Sequence, residues 1–95
     1  MLIKLKTLVV ENHGHRRSAS TKEMYVNSNS IISVSDYPAI ESFLIMEKMS
    51  FAGDRFSLVR VSLGNKIEEI ITFGTSAMIY SQISEQSNGK RLLND

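Results

Sequence analysis

Two apolar-rich runs, Phe56–Leu63 and residues 67–73, flank Gly64–Asn65, and that arrangement limits this chain more than any other part of it. Gly-Asn is a two-residue hairpin connector, so the runs read as antiparallel strands. Gly74–Thr75–Ser76 then breaks the second strand, and residues 77–85 carry helix-like spacing. The unit is strand, tight turn, strand, helix. With a two-residue loop, Arg60 faces Glu69, Phe56 faces Phe73, and Val59 and Val61 face Ile70 and Glu68. Both faces of the hairpin base are then apolar and both need cover. If Lys66 joins the turn, Val59, Val61 and Leu63 share a face with Ile67, Ile71 and Phe73. One residue of slip exchanges the faces of one strand against the other. Glycine at the first loop position suits a type II′ turn, which favours the two-residue register.

Upstream, residues 2–10 alternate, with Ile3, Leu5 and Val9 on one side and Lys4 and Lys6 on the other, the pattern of a half-buried strand. Leu8 and Val10 imply that its far end is covered on both sides. Residues 11–22 (ENHGHRRSASTK) are polar and aperiodic around one glycine, so they read as an exposed, mobile loop. Residues 23–27 are a short strand, residues 27–30 (NSNS) a turn of Asx and Ser type, and residues 30–35 a further strand. Residues 36–55 carry two readings. Asp36 ahead of Pro38 marks a helix start, with Ile40, Phe43 and Leu44 on one face. FLIM (residues 43–46) is equally an apolar run that a buried strand can use. The expected fold is α+β: a small, strongly bent antiparallel β-meander or open barrel with a C-terminal helix and, on the helical reading of 36–55, a short middle helix. Thr75 or Ser76 caps the terminal helix, where Ile79 and Ile83 stack at i, i+4. Residues 1–86 make one domain, with a stop at Asn88–Gly89 and a flexible tail over 87–95.

At 95 residues the chain buries only ~60–65% of its unfolded surface, a small margin that oligomerisation commonly supplements. The absence of cysteine removes disulfides, thiol catalysis and thiolate metal sites. No apolar run reaches the ~20 residues that span a bilayer. The opening MLIKLKTLVV lacks a small-residue cleavage site and reads as a strand, leaving the cytoplasm as the expected address. A net charge of +1 is not the clearly basic balance of a general nucleic-acid binder.

Residues 24–34 (MYVNSNSIISV), with Val26, Asn27, Ile31 and Val34, resemble the strand–Asn–turn–strand segment of the small flagellar FlbD-type proteins. VRVSLGNKIEEI at Val59–Ile70 is similar to that family's strand, turn and strand, and a closing amphipathic helix follows in both. The turn order here is Gly64–Asn65 rather than Asn-Gly, and residues 11–22 and 36–55 have no counterpart there. The resemblance implies a bent Sm-like or SH3-like meander with a helix; it does not carry the flagellar role. Similar short patterns occur in small phage-encoded proteins, which leaves a viral origin open.

The candidate ligand-binding residues are Arg16, Arg17, His13, His15 and Lys22, which make the 11–22 segment locally cationic. Arginine offers a planar fork that matches phosphate or carboxylate oxygens. The plainer reading is a charged segment that keeps the domain in solution. His13 and His15 offer two imidazoles to a metal, but a structural zinc site takes four ligands and only Glu11 and Asn12 lie near, so no metal is assigned. Ser18, Ser20 and Thr21 beside these histidines have no third group to hold a base, and Glu47, Glu68 and Glu69 form no acid–base pair, so no catalytic residue and no cofactor is implied. Tyr25, Phe56 and Phe73 can stack bases but follow the apolar faces, as core residues do. Ile79 and Ile83 suit either the protein's own sheet or a neighbouring subunit. Three functions follow: a non-catalytic binding protein acting as a homo-oligomer, a phage-borne sponge for phosphate-containing signalling nucleotides that uses the basic segment, and an RNA or single-stranded DNA module.

Overall fold

The computed structural model describes the backbone of residues 1–94 and the side chains of residues 1–85. In chain order it contains β1 (Leu2–His13), β2 (Arg16–Asn27), a 3₁₀ turn (Ser28–Ser30), β3 (Ile31–Asp36), α1 (Pro38–Met46), β4 (Phe56–Leu63), β5 (Lys66–Phe73) and α2 (Ser76–Asn94). The expected tail over residues 87–95, with its stop at Asn88–Gly89, lies outside the residues whose side chains are described. The five strands form one open antiparallel sheet in the order β2-β1-β5-β4-β3, so β2 and β3 are its edges. This is the α+β meander with a middle and a terminal helix.

The β4–β5 hairpin adopts the two-residue register. Leu63 faces Lys66, Arg60 faces Glu69, Val59 faces Ile70 and Phe56 faces Phe73. Gly64 has φ +68° while Asn65 stays out of the positive-φ region, the signature of a type II′ turn. Arg60 Nε lies 2.9 Å from Glu69 Oε2, with both side chains about half exposed, a pair worth about 0.2–1 kcal/mol.

Because both faces of this hairpin are apolar, the sheet is covered twice. On one face Ile3, Leu5, Val26, Val59, Val61 and Ile70 bury against Ile79 of α2, with Val34 and Ile83 alongside. On the other, Leu8 and Phe56 bury against Leu44 of α1, with Ile40, Phe43, Met49, Phe51 and Phe73 around them. Phe73 meets Phe51 edge-on at 5.3 Å and Phe56 at 4.7 Å between ring centroids. Residues 36–55 therefore resolve as a helix followed by a turn that lays Met49 and Phe51 on the second core. β1 serves both cores, Ile3 and Leu5 on one side and Leu8 on the other.

Residues 11–22 are not a loop. His13 pairs with Arg16 and the ladder runs unbroken from there to Leu2 opposite Asn27, so β1 and β2 are 12-residue strands joined by Gly14–His15. The strand expected at residues 23–27 is the end of β2. Gly14 has φ +64° and His15 does not share it, a second type II′ turn. The distal hairpin lies in solvent on nearly every side, so it has no buried face to impose an apolar alternation. It also lengthens the molecule. The radius of gyration is 14.9 Å and the extents are 55 × 30 × 18 Å, against about 12 Å of radius for a compact chain of this length.

The first turn of α2 is held by two side chains. Thr75 Oγ1 accepts from Met78 N at 3.2 Å, the expected cap. Asp36 Oδ1 accepts from Ser76 N at 2.8 Å. Asp36 therefore marks the start of one helix in the sequence and caps a different one in space; at α1 the cap position is Tyr37, with no side-chain bond, and Pro38 follows. The bonds from Ser76, backbone first and then side chain, hold the Asp36 carboxyl below its ordinary value. A group depressed in the folded state contributes stability above its unfolded pKa and loses it as pH falls through the folded one. Asp36→Asn should lower the melting temperature at neutral pH and flatten its decline on acidification. A variant melting curve that tracks the native one from neutral into acid would remove Asp36 from this role.

Across the middle of the sheet three polar side chains are buried side by side: Thr7 opposite Thr72, and Thr72 opposite Ser57. Thr7 Oγ1 donates to Lys22 O at 2.8 Å, and Ser57 Oγ donates to Gly74 O at 2.7 Å. Thr72 Oγ1 has no partner. A buried unpaired hydroxyl carries its full desolvation cost. Thr72→Val keeps the shape and removes the hydroxyl, and should stabilise the fold by about 1 kcal/mol, a melting-temperature rise of about 4–8 °C. A lowered melting temperature would mean that the hydroxyl is satisfied after all.

Candidate binding surfaces: the hairpin tip and the β2 edge

Strand alternation divides the five cationic residues. His13 and Arg16 face each other and point to one side of the β1–β2 hairpin; Arg17 points to the other; His15 sits in the turn. Lys22 pairs with Thr7, six residues from Arg16, so it stands roughly 20 Å along the strand from the tip. His13 Nε2 lies 3.0 Å from Glu11 Oε2. Arg17 bends over α1, where its Nη1 donates to Glu47 and its guanidinium sits 5.6 Å from the Phe43 ring. The tip thus brings His15 and Arg17 to one shallow cleft of about 450 Å³, closed by Gly14, Glu47 and Met49. Glu47 already compensates the arginine there, which lowers the attraction of that cleft for an anion. Among the described residues no cluster of three imidazole or carboxylate groups converges, and neither Ser18 nor Ser20 bonds a histidine. Of the three aromatic candidates, Phe56 is 0% exposed and Phe73 is packed in the second core, whereas Tyr25 is 65% exposed.

A different feature of the same hairpin was not legible as a site. β2 is an edge strand, and the hairpin's geometry fixes which of its backbone groups face outward. In a two-residue hairpin the residues flanking the loop form a mutually hydrogen-bonded pair, and such pairs recur at every second position. His13–Arg16 is that pair, so the even-numbered residues of β2 turn their N–H and C=O toward β1. Ser28 N donating to Met1 O at 2.8 Å continues the same parity. The backbone N–H and C=O of Arg17, Ala19, Thr21, Glu23 and Tyr25 consequently point away from the sheet, where no strand lies beyond them among the described residues. The opposite edge differs. β3 has six residues and its pairing is broken by a register shift between Ile31 and Ser33. Short length, bulges, proline and charged side chains are the usual protections of an edge; β2 is long, bulge-free and without proline, and has only the charges of Arg16, Arg17, Lys22 and Glu23.

Beside this edge, Lys4 Nζ lies 2.6 Å from Glu23 Oε2, and that hydrogen bond, reinforced by the Glu23 charge, holds the Lys4 ammonium above its ordinary value. Leu2 and Tyr25 stand exposed on the same face of the hairpin. Lys4 O, past the end of β5, accepts from Gln82 Nε2 of α2 at 2.7 Å, which ties the terminal helix to the inner strand.

No protein-family model, curated protein or solved structure matches this chain. Among the described residues no helix is long and apolar enough to cross a membrane.

Proposed function

We propose that the protein is a non-catalytic binding protein that works as a homo-oligomer, its copies joined along β2. The observation that carries this reading is the long, bulge-free edge of β2, with five residues aiming their backbone donors and acceptors out of the sheet. Two copies related by a two-fold axis satisfy one another there: antiparallel pairing centred on Thr21 sets Ala19 against the partner's Glu23 and Arg17 against the partner's Tyr25, with no like charges opposed. A thin, elongated domain with two small cores gains most from such an addition. A chain without cysteine suits the cytoplasm. The likeness to FlbD-type proteins, through Val26, Asn27, Ile31 and Val34, agrees with a small β-scaffold.

Light scattering on the eluting native protein tests this. A mass of twice 10.7 kDa or a higher multiple at micromolar concentration is expected; a monomer throughout would overturn the reading.

The reading as a sponge for phosphate-containing nucleotides keeps His15 and Arg16 at the tip in its favour, but Arg17 is balanced by Glu47. A nucleic-acid module has Tyr25 as its one exposed aromatic among the three candidates.

A further inference from the structure

At the opposite end of the sheet from the β4–β5 turn, a second cleft opens where β5 ends. It measures about 400 Å³ and is lined by Lys6, Asp54, Arg55, Phe73, Gly74 and Met78. That volume falls within the ~300–1,000 Å³ of small-molecule sites. Lys6 reaches it from β1 and lies with Nζ 4.9 Å from the centre of the Phe73 ring. Arg55 is fixed by its own backbone, whose carbonyl accepts from Gly74 N at 2.8 Å. Its Nε is 3.3 Å from Glu41 Oε2, which leaves the two Nη groups without a partner among the described residues. Lys6 likewise has no acidic partner among them. Two cations therefore converge on one cleft while the ring of Phe73 and the exposed thioether of Met78 supply an apolar wall.

Arg55, like Arg17 at the hairpin tip, carries one carboxylate, but Glu47 takes an Nη of Arg17 whereas Glu41 takes the Nε of Arg55 and leaves its Nη fork open. Glu41 and Asp54 balance Arg55 and Lys6 in charge, so recognition here rests on the open Nη donors and the ammonium beside them and not on net charge. A guanidinium with free Nη groups and an ammonium beside it recognise phosphate oxygens, and an aromatic and thioether wall accepts a planar apolar group.

We propose that this cleft binds a phosphate monoester of nucleotide size, its phosphate held between Lys6 and Arg55 and its ring against Phe73 and Met78. The proposal does not rest on the β2 edge, because a single copy carries the whole cleft.

Titration calorimetry of the native full chain with AMP, adenosine and inorganic phosphate tests it. AMP should bind at least about tenfold more tightly than either fragment, since both halves of the cleft are then used. Lys6→Gln and Arg55→Gln, each checked by melting curve, should each weaken AMP about tenfold. Asp54→Asn should tighten it several-fold by removing a repelling charge. Arg16→Ala should leave it unchanged. AMP no tighter than adenosine or phosphate, no heat with AMP at millimolar concentration, or a loss caused by Arg16→Ala with Lys6→Gln silent would each overturn the assignment, the last by placing the phosphate at the hairpin tip.

Discussion

Phe56→Ala is expected to lower the unfolding free energy by about 3–5 kcal/mol, the cost of emptying a fully buried aromatic site. Phe56 is 0% exposed and begins β4. Its ring meets Phe73, and with Leu8 and Leu44 it forms the buried centre of the core under α1. Its backbone is also committed: Phe56 N donates to Glu41 at 2.8 Å, and Phe56 O accepts from Tyr37 N at 3.0 Å. The side chain thus sits where α1, β1 and β5 meet. For a domain of this size the loss corresponds to a fall in melting temperature of about 15–30 °C. Thermal unfolding followed by circular dichroism reads it. A fall of only a few degrees would mean that the α1 side of the sheet is not a core.

The second large effect concerns β2, and its sign depends on parity. Thr21→Pro removes an N–H that points out of the sheet; Ser20→Pro removes one that points to β1. Proline is tolerated on an edge strand where its missing donor faces solvent and is disruptive where the ladder needs it. In the proposed assembly Thr21→Pro should convert the oligomer to a folded monomer. Ser20→Pro should break a ladder bond opposite Val9, leave its carbonyl unpaired and destabilise the fold by about 1–3 kcal/mol. Light scattering and a melting curve on both variants separate the two. If Thr21→Pro retains the native mass, the copies are not joined along β2.

The β4–β5–α2 unit was legible because its signals are local. Gly64 set the turn, the turn set the facing pairs, and Thr75 capped the helix three residues ahead of Met78. The need for cover on both faces was legible too, and α1 and α2 supply it. The distal β1–β2 hairpin was missed because its side chains stand in water on both sides, so polar alternation carried no information; Gly14–His15 offered the same glycine-first turn signal as Gly64–Asn65. The bond from Ser76 to Asp36 spans 40 residues, and no local pattern announces it. The sequence shows the cations of the tip but not their directions: a strand sends neighbours to opposite faces, and Glu47 reaches Arg17 only through the fold. Lys6 is visible as the polar side of a strand, and Arg55 only as the last residue of the 36–55 segment. Their meeting beside Phe73 depends on β1 and β5 being adjacent, which is a property of the topology.

The most direct measurement is residue-resolved amide hydrogen exchange across β2 at low and high protein concentration. Ser18, Ser20, Lys22 and Met24, which donate to β1, should be protected at both. Ala19, Thr21 and Glu23 should become protected as concentration rises, as pairing with a second copy requires. Outward amides that exchange freely at every concentration, while their inward neighbours stay protected, would contradict an assembly built on this edge.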